Sequence, residues 1–574
     1  MTLPATRDEK GSNRPTTRYI VIALAMVVFG LMLQLQCRFF ETVIDDNDLI
    51  YSAEQRGCGA NPADCFRHPV FMLYYRPLFT ATFAVGDHLH SRDAIWYHLE
   101  NLALHAAVCG LGFWFFHLLF RRERPALLAG LVFTLHPLQV SVTSFIGGRP
   151  DSMALFFLLL FSIGAWNTAP KSRPAPLHPP RLGWLLLSVL SYACAVFTKE
   201  QCISLLLVLP LLLWRPGYAY PRKYLPLLSL YLAPVLLYIA AAKQIIPFAT
   251  IPQPHWGMPL HLEMIGRTLF YFQRLFVLPT VGQIHRSTLG SWDVPQFGVA
   301  ISGFLVTALW LGMLWRVRHN PALRFCALWT TLTLLPCINL IPIPSQFASC
   351  YRAVIPLLGF AGLLGAGLDA FLNWSQKIKT LDPFKIGWAL ALSVGVYYSW
   401  ETAADVRTWQ NLRTLMQAEI EGDPNFVPAY GGLGMWDDSV RDWKSAERDY
   451  SAVLARTLPI DQSGQSFAEA VDSAACQRTL WSQSGLRYHP RLYFASMLPH
   501  RGWARQQQGH FTAAAEDYRL ALLLNPRDDN SRANLRNCYM ANGRIDDALS
   551  LYRRASDMPP RRASDVSDTG QRTR

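Results

Sequence analysis

Residues 19–48 read YIVIALAMVVFGLMLQLQCRFFETVIDDND: an apolar run interrupted only near its end by Gln34, Gln36 and Arg38, then two adjacent carboxylates, Asp45 and Asp46. A bilayer core of about 30 Å takes roughly 20 apolar helical residues, and 19–38 supplies one such helix. Arg7, Lys10, Arg14 and Arg18 precede it. No small-residue cleavage site follows, so the run reads as a retained signal anchor with the tail 1–18 in the cytoplasm.

Outward from that run the pattern repeats. Of 574 residues 51% are hydrophobic and mean hydropathy is +0.15, too apolar for an ordinary soluble protein. Apolar runs fill 19–400, where about eleven spans are expected: 19–38, 97–119, 125–146, 152–168, 183–198, 201–214, 224–244, 296–315, 324–343, 353–372 and 384–400. The stretch 262–279 carries Arg267 and Arg274 on an amphipathic pattern and reads as an interfacial helix. A net charge of +13 would point a soluble protein toward nucleic acid. Here the basic residues instead collect in alternate loops: Arg121, Arg122 and Arg124; Lys171, Arg173 and Arg181; Arg215, Arg222 and Lys223; Arg316, Arg318 and Arg324; Lys377, Lys379 and Lys385. That alternation orients a membrane protein, so no nucleic acid is expected. An odd span count puts the C-terminal part on the outer face, the periplasm of a cell whose inner membrane holds the chain.

The polar tail repeats every 34 residues. Gly509 aligns with Gly543, Ala514 with Ala548, Tyr518 with Tyr552, Ala521 with Ala555 and Pro526 with Pro560. A small residue, an alanine, an aromatic and a closing proline at this period mark tetratricopeptide (TPR) helix pairs. An earlier unit spans 424–459 with Ala446 and Tyr450 in register; 460–490 is degenerate. The organisation expected is a membrane domain 19–400, a TPR domain 401–560 and a disordered tail 561–574. The eleven cysteines show no CxxC pair and no zinc spacing. Cys58 and Cys65 share a polar loop and can bridge in an oxidising compartment.

The longest loop of the first half, 41–94, opens on Asp45 and Asp46. Such a pair suits a proton-accepting base and equally a solvated helix cap. It also suits Mg²⁺ or Mn²⁺, but no third acidic ligand stands at matching spacing and no metal ligand is assigned. His98, Asn101 and His105 are three and four apart and share one helix face; Glu100 lies off it. A polar stripe in a membrane helix faces a cavity or another helix. His136 precedes Pro137, Asp151 follows Gly147-Gly148-Arg149-Pro150, and Glu200 follows Lys199. Span parity puts Asp45, Asp46, Arg76, Arg149, Asp151, Lys199, Glu200 and Arg352 on the outer face. The cations suit a phosphate; a solvated salt-bridge network would use the same residues.

In order, Asp45-Asp46, Tyr75-Arg76-Pro77-Leu78, Tyr97-His98 through Asn101 to His105, Leu135-His136-Pro137, Gly148-Arg149-Pro150-Asp151 and Lys199-Glu200-Gln201 resemble the transmembrane-and-TPR-containing O-mannosyltransferases, GT-C glycosyltransferases. The resemblance covers nearly the whole chain. It implies an all-α GT-C-like membrane domain followed by TPR helices. It also implies a polyprenyl-phosphate-linked sugar as donor, Asp45 or Asp46 as catalytic carboxylate, and Arg76, Arg149, Lys199 and Arg352 as phosphate contacts. His98, Asn101, His105, His136, Asp151 and Glu200 complete the expected substrate site, and the TPR domain would present a protein acceptor. Direct displacement would invert the anomeric centre. The chain departs from the family pattern at Ser349-Cys350-Tyr351-Arg352, where members often carry an acidic residue followed by Arg-Tyr. A cell-envelope glycan or lipid acceptor, or a non-enzymatic TPR scaffold, remains an alternative.

Overall fold

The computed structural model describes residues 15–52, 57–59, 61–71, 74–90, 92–168, 181–209, 225–246, 258–279, 297–340, 349–376, 383–458, 466–473, 476 and 490–556. Expectations on 1–14, on the loop residues 171–173, 215–223 and 377–379, on most of 460–490 and on 561–574 lie outside them. Apart from one isolated bridge between Val70 and Tyr74, the described residues contain helices, turns and no strand. The chain divides into two compact units, Met1–Pro424 and Asn425–Arg574.

The first unit is a multi-pass membrane domain. Helices occupy every expected span except 201–214, whose described part is a 3-10 helix, Glu200–Leu207. Among the described residues five helices are long and apolar enough to cross a bilayer unaided: Thr17–Phe39, Ala94–Phe120, Ile146–Thr168, Phe297–Val317 and Cys350–Ser375. The pair Glu123–Leu135 and Pro137–Thr143, bent by 52°, passes the same length and hydropathy test only when taken together. Proline explains the breaks, because it removes a helix N–H and clashes with the preceding turn. Pro137 sits at that bend, and Pro336 lies in the 3-10 turn Leu335–Cys337 that ends the helix Pro321–Leu334.

Where no hydrophobic force draws helices together, small residues let backbones approach. A Cβ on Gly365 would stand 2.3 Å from the Ala129 amide nitrogen, and one on Gly303 would stand 1.9 Å from the Gly266 carbonyl oxygen. The latter contact packs the helix Met258–Val277 on Phe297–Val317. Arg267, on the helix read from sequence as interfacial, is fully buried and ion-paired with Glu263 at 3.1 Å.

The second unit stacks antiparallel helix pairs: Val427–Ser439 with Trp443–Thr457, Pro490–Gln507 with Phe511–Leu524, and Asp529–Ala541 with Ile545–Ser556. Ala446, Ala514 and Ala548 are buried at one register position, and the Tyr450 and Tyr518 rings lie over Gly434 and Gly502. Each first helix closes on a left-handed residue: Arg441 (φ 63°), Gly509 (φ 81°) and Gly543 (φ 72°). The following amide reaches back in each case: Asp442 to Asp437 O, His510 to Arg505 O and Arg544 to Tyr539 O. This is the helix stop that glycine serves without strain. Arg441 strains where its two counterparts do not. Arg441→Gly is therefore expected to stabilise this unit by up to about 1 kcal/mol, after the larger chain entropy of glycine is deducted. Slower amide exchange in Val427–Ser439 and Trp443–Thr457 would register the gain; unchanged or faster exchange would refute it.

Candidate active site

The chain after the first apolar helix turns through Ile44, left-handed at φ 51°, into the short helix Asp46–Tyr51. Asp45 is half-buried at the start of that helix and its side chain does not cap it. Asp46 is fully buried. Its Oδ2 accepts from the Val43 amide at 3.1 Å and its Oδ1 from the Gly147 amide at 2.9 Å. Burial pushes this carboxyl up to about 7, against the pull of the two N–H groups and with a further push from Asp45.

Farther along the loop Cys58 and Cys65 form a disulfide whose Cα atoms are 4.7 Å apart, a normal separation for such a bridge. It packs beside Ala84 of the helix Pro77–His90.

Arg149 follows the turn Ile146–Gly148 and is 3% exposed. Its Nε donates to Asn101 Oδ1 at 2.7 Å, Nη1 to Thr82 Oγ1 at 3.0 Å and Nη2 to the Tyr97 carbonyl at 3.0 Å. Glu100 Oε2 lies 2.9 Å from Nη2, and Glu100 Oε1 meets His90 Nε2 at 3.1 Å. Expected as a phosphate contact, Arg149 instead spends its donors inside the protein. Asn101 completes the joint, donating to the Phe145 carbonyl at 3.2 Å.

The other expected cations do gather. Arg76 makes a two-pronged pair with Glu200, Nε to Oε2 at 2.9 Å and Nη2 to Oε1 at 2.5 Å, and its guanidinium lies 4.1 Å over the Tyr74 ring. Burial alone would raise Glu200, but Arg76 and then Lys199 outweigh it and hold the carboxyl at about 2, so the pair stays charged at any physiological pH. The same carboxylate holds the Arg76 guanidinium above its ordinary value, against its own burial. Lys199 pairs with Asp151, both buried, and its ammonium lies 5.7 Å over the Tyr351 ring. Arg76 and Arg352 act electrostatically on Asp151. Gln201 fastens the group from behind, donating to the Thr333 carbonyl at 2.8 Å and the Arg352 carbonyl at 3.3 Å.

The expected histidines separate. His98 is buried beside the backbone of Phe40 and Thr143. His105 touches Cys109 Sγ at 3.5 Å within its own helix. His136 accepts from the Leu138 amide at Nδ1 and therefore donates from Nε2 to the Phe276 carbonyl, 3.2 Å away; it fixes the membrane bend. Glu100 was set aside as lying off the stripe and His90 was missed, although an ionisable residue inside an apolar helix is itself a signal. Among the described residues no three His, Cys, Asp or Glu side chains converge as a metal site.

A tetratricopeptide-repeat family model matches residues 506–567. The chain is 34% identical over 135 residues to protein O-mannosyl-transferase TMTC2 of Homo sapiens, covering 23% of this chain and 16% of that one. It is 22% identical over 529 residues to protein O-mannosyl-transferase TMTC3 of Homo sapiens, covering 85% and 54%. The chain thus spans about half the length of that relative and less of the former. Among solved structures, ArnT from Cupriavidus metallidurans bound to undecaprenyl phosphate aligns with a TM-score of 0.38 at 16% identity, covering 73% of this chain and 81% of that one. The resemblance read from the ordered motifs is thus matched by relatives bearing the O-mannosyl-transferase name.

Proposed function

We propose that this chain is a GT-C-type membrane glycosyltransferase. It moves one sugar from a polyprenyl-phosphate-linked donor to a protein hydroxyl on the outer side of a bacterial inner membrane. One observation carries the reading: Arg76, Lys199 and Arg352, far apart in sequence, are brought together with Asp151 and Glu200, and residues 146–151 join that cluster to the acidic loop. Three cations against two carboxylates leave one positive charge (3 − 2 = +1), the complement of a sugar phosphodiester.

As the sugar–oxygen bond breaks, negative charge grows on the departing phosphate, and Arg76, Lys199 and Arg352 stabilise it. The leaving group needs no strong acid. Asp45 takes the proton of the acceptor hydroxyl as its oxygen attacks the anomeric carbon from the opposite side, which inverts that centre. His98 and Asn101 shape the loop's floor, while His105 and His136 stay in the core. The TPR helices present the acceptor, since stacked repeats build extended peptide-binding surfaces; they lie in the periplasm, with the N-terminus in the cytoplasm.

Purified protein in liposomes is given a panel of radiolabelled polyprenyl-phosphate sugars and periplasmic extract. Label entering protein supports the reading and names the sugar. Label entering glycan or lipid moves the acceptor to another class, and failure with every donor of the panel counts against the reading.

A further inference from the structure

We infer that Asp46 and Arg149 are positioning residues: they clamp residues 146–151 into a strut between the acidic loop and the cation cluster, and that strut decides whether a bound sugar passes to an acceptor hydroxyl or to water. The inference rests on the proposed glycosyl transfer.

Four contacts define the strut. Asp46, without exposed surface, holds the Gly147 amide from the loop side. Arg149 holds the next residues to the helices Pro77–His90 and Ala94–Phe120 through Thr82, Asn101 and the Tyr97 carbonyl. Between them Gly148 has no room to slide, since a Cβ there would stand 2.4 Å from the Ser141 carbonyl oxygen. Beyond them Asp151 pairs with Lys199 of the cluster. One path from Asp45 to the phosphate cations runs through this short, doubly held segment; a second runs through the helix Asp46–Tyr51, whose Leu49 and Ile50 pack with Phe79 and Phe83 of the helix that Arg76 precedes. Neither Asp46 nor Arg149 needs to touch the substrate to matter.

Two outcomes compete once donor is bound. In transfer, the acceptor oxygen bonds to the anomeric carbon, the sugar–phosphate C–O bond breaks, Asp45 takes the hydroxyl proton and polyprenyl phosphate leaves. In hydrolysis, water supplies the oxygen and loses its proton to solvent. A protein hydroxyl is held in one place and depends on the register of its base; misplacement by about 1 Å costs on the order of 10²-fold. Water is mobile and tolerates it. Loosening the strut should thus lower transfer and spare hydrolysis.

The experiment follows transfer and hydrolysis of one labelled donor by the full chain and by Asp46→Asn, Arg149→Lys and Asp45→Asn. Both strut variants are expected to lose about 100-fold in transfer, with donor KM and hydrolysis close to wild type. Asp45→Asn loses transfer without any change at the clamp. A general loss of fold would lower transfer and hydrolysis together, and that outcome overturns the inference, as does unchanged transfer. Amide hydrogen exchange judges the clamp independently of turnover. Asp46→Asn should speed exchange at Val43 and Gly147 while leaving the helix Leu182–Thr198 alone, and unchanged exchange refutes the clamp. A wild type that moves no sugar overturns the catalytic half together with the reading beneath it, and exchange still decides the structural half.

Discussion

Asp45→Asn is expected to lower the rate of sugar transfer by about 10²- to 10⁴-fold, the range a positioned general base supplies, with the protein folded and its donor affinity intact. The amide has the carboxylate's shape but does not accept a proton near neutrality. The phosphate is proposed to be held by Arg76, Lys199 and Arg352 rather than by Asp45, so donor binding is not expected to depend on this side chain. The initial rate of label transfer at saturating donor is the decisive measurement. If the variant keeps wild-type transfer, the base is misassigned and Asp46 becomes the alternative. The two cases separate by pH. Burial places the Asp46 carboxyl at about 7, above its ordinary value, so it is protonated below that pH and ionised above it. A reaction using Asp46 as base would speed up as pH rises through about 7, and Asp46→Asn would abolish that rise.

Hydropathy made the helical membrane architecture legible, because a bilayer imposes one length on every crossing. Prolines at 137 and 336 then broke crossings that composition alone counts as whole. Span parity put Arg76, Asp151, Lys199, Glu200 and Arg352 on one expected face, but their gathering is a matter of helix packing that parity does not give. Arg149 illustrates what parity omits. In sequence it is one more cation on the outer face; in space Asn101, Thr82, Tyr97 and Glu100 surround it. Whether a cation is open to a ligand depends on the register of three neighbouring helices, which no local pattern encodes. The spacing of His98, Asn101 and His105 correctly put them on one buried face, but the packing alone decided that His105 would meet only a cysteine of its own helix. In the TPR unit the period of 34 exposed Gly509 and Gly543. It hid Arg441, which occupies the same left-handed position 68 residues before Gly509 with the wrong side chain.

The TPR unit also breaks its own pattern inside the stack, and the second large effect is expected there. The repeat places leucine and tyrosine one residue before and three residues after its conserved small residue, here Gly502, yet this chain has Arg501 and Arg505 at those positions. Asp517, fully buried on the next helix, receives both: Arg501 Nη2 at 2.5 Å and Arg505 Nη1 at 3.0 Å. Glu447 of the helix Trp443–Thr457 takes Arg505 Nε at 2.8 Å, so one network ties three helices. Burial raises the Asp517 carboxyl, and its two arginines offset that only in part, so the intact network is weak evidence of added stability. Removing one member is a different matter. Asp517→Ala leaves two part-buried arginines with Glu447 and Ser451 as partners, and losing one partner of a fully buried ion pair costs about 3–5 kcal/mol, an upper bound for this partly exposed network. Amide exchange of the full chain should then accelerate across Trp443–Thr457, Pro490–Gln507 and Phe511–Leu524, with the membrane helices unaffected. Replacing the network together, Asp517→Leu with Arg501→Leu and Arg505→Tyr, should recover most of that loss, because apolar side chains in such a site match or exceed the stability of the ions they replace. Recovery would locate the damage in the stranded charges; a triple variant as unstable as Asp517→Ala would show that the ion network itself holds the three helices together.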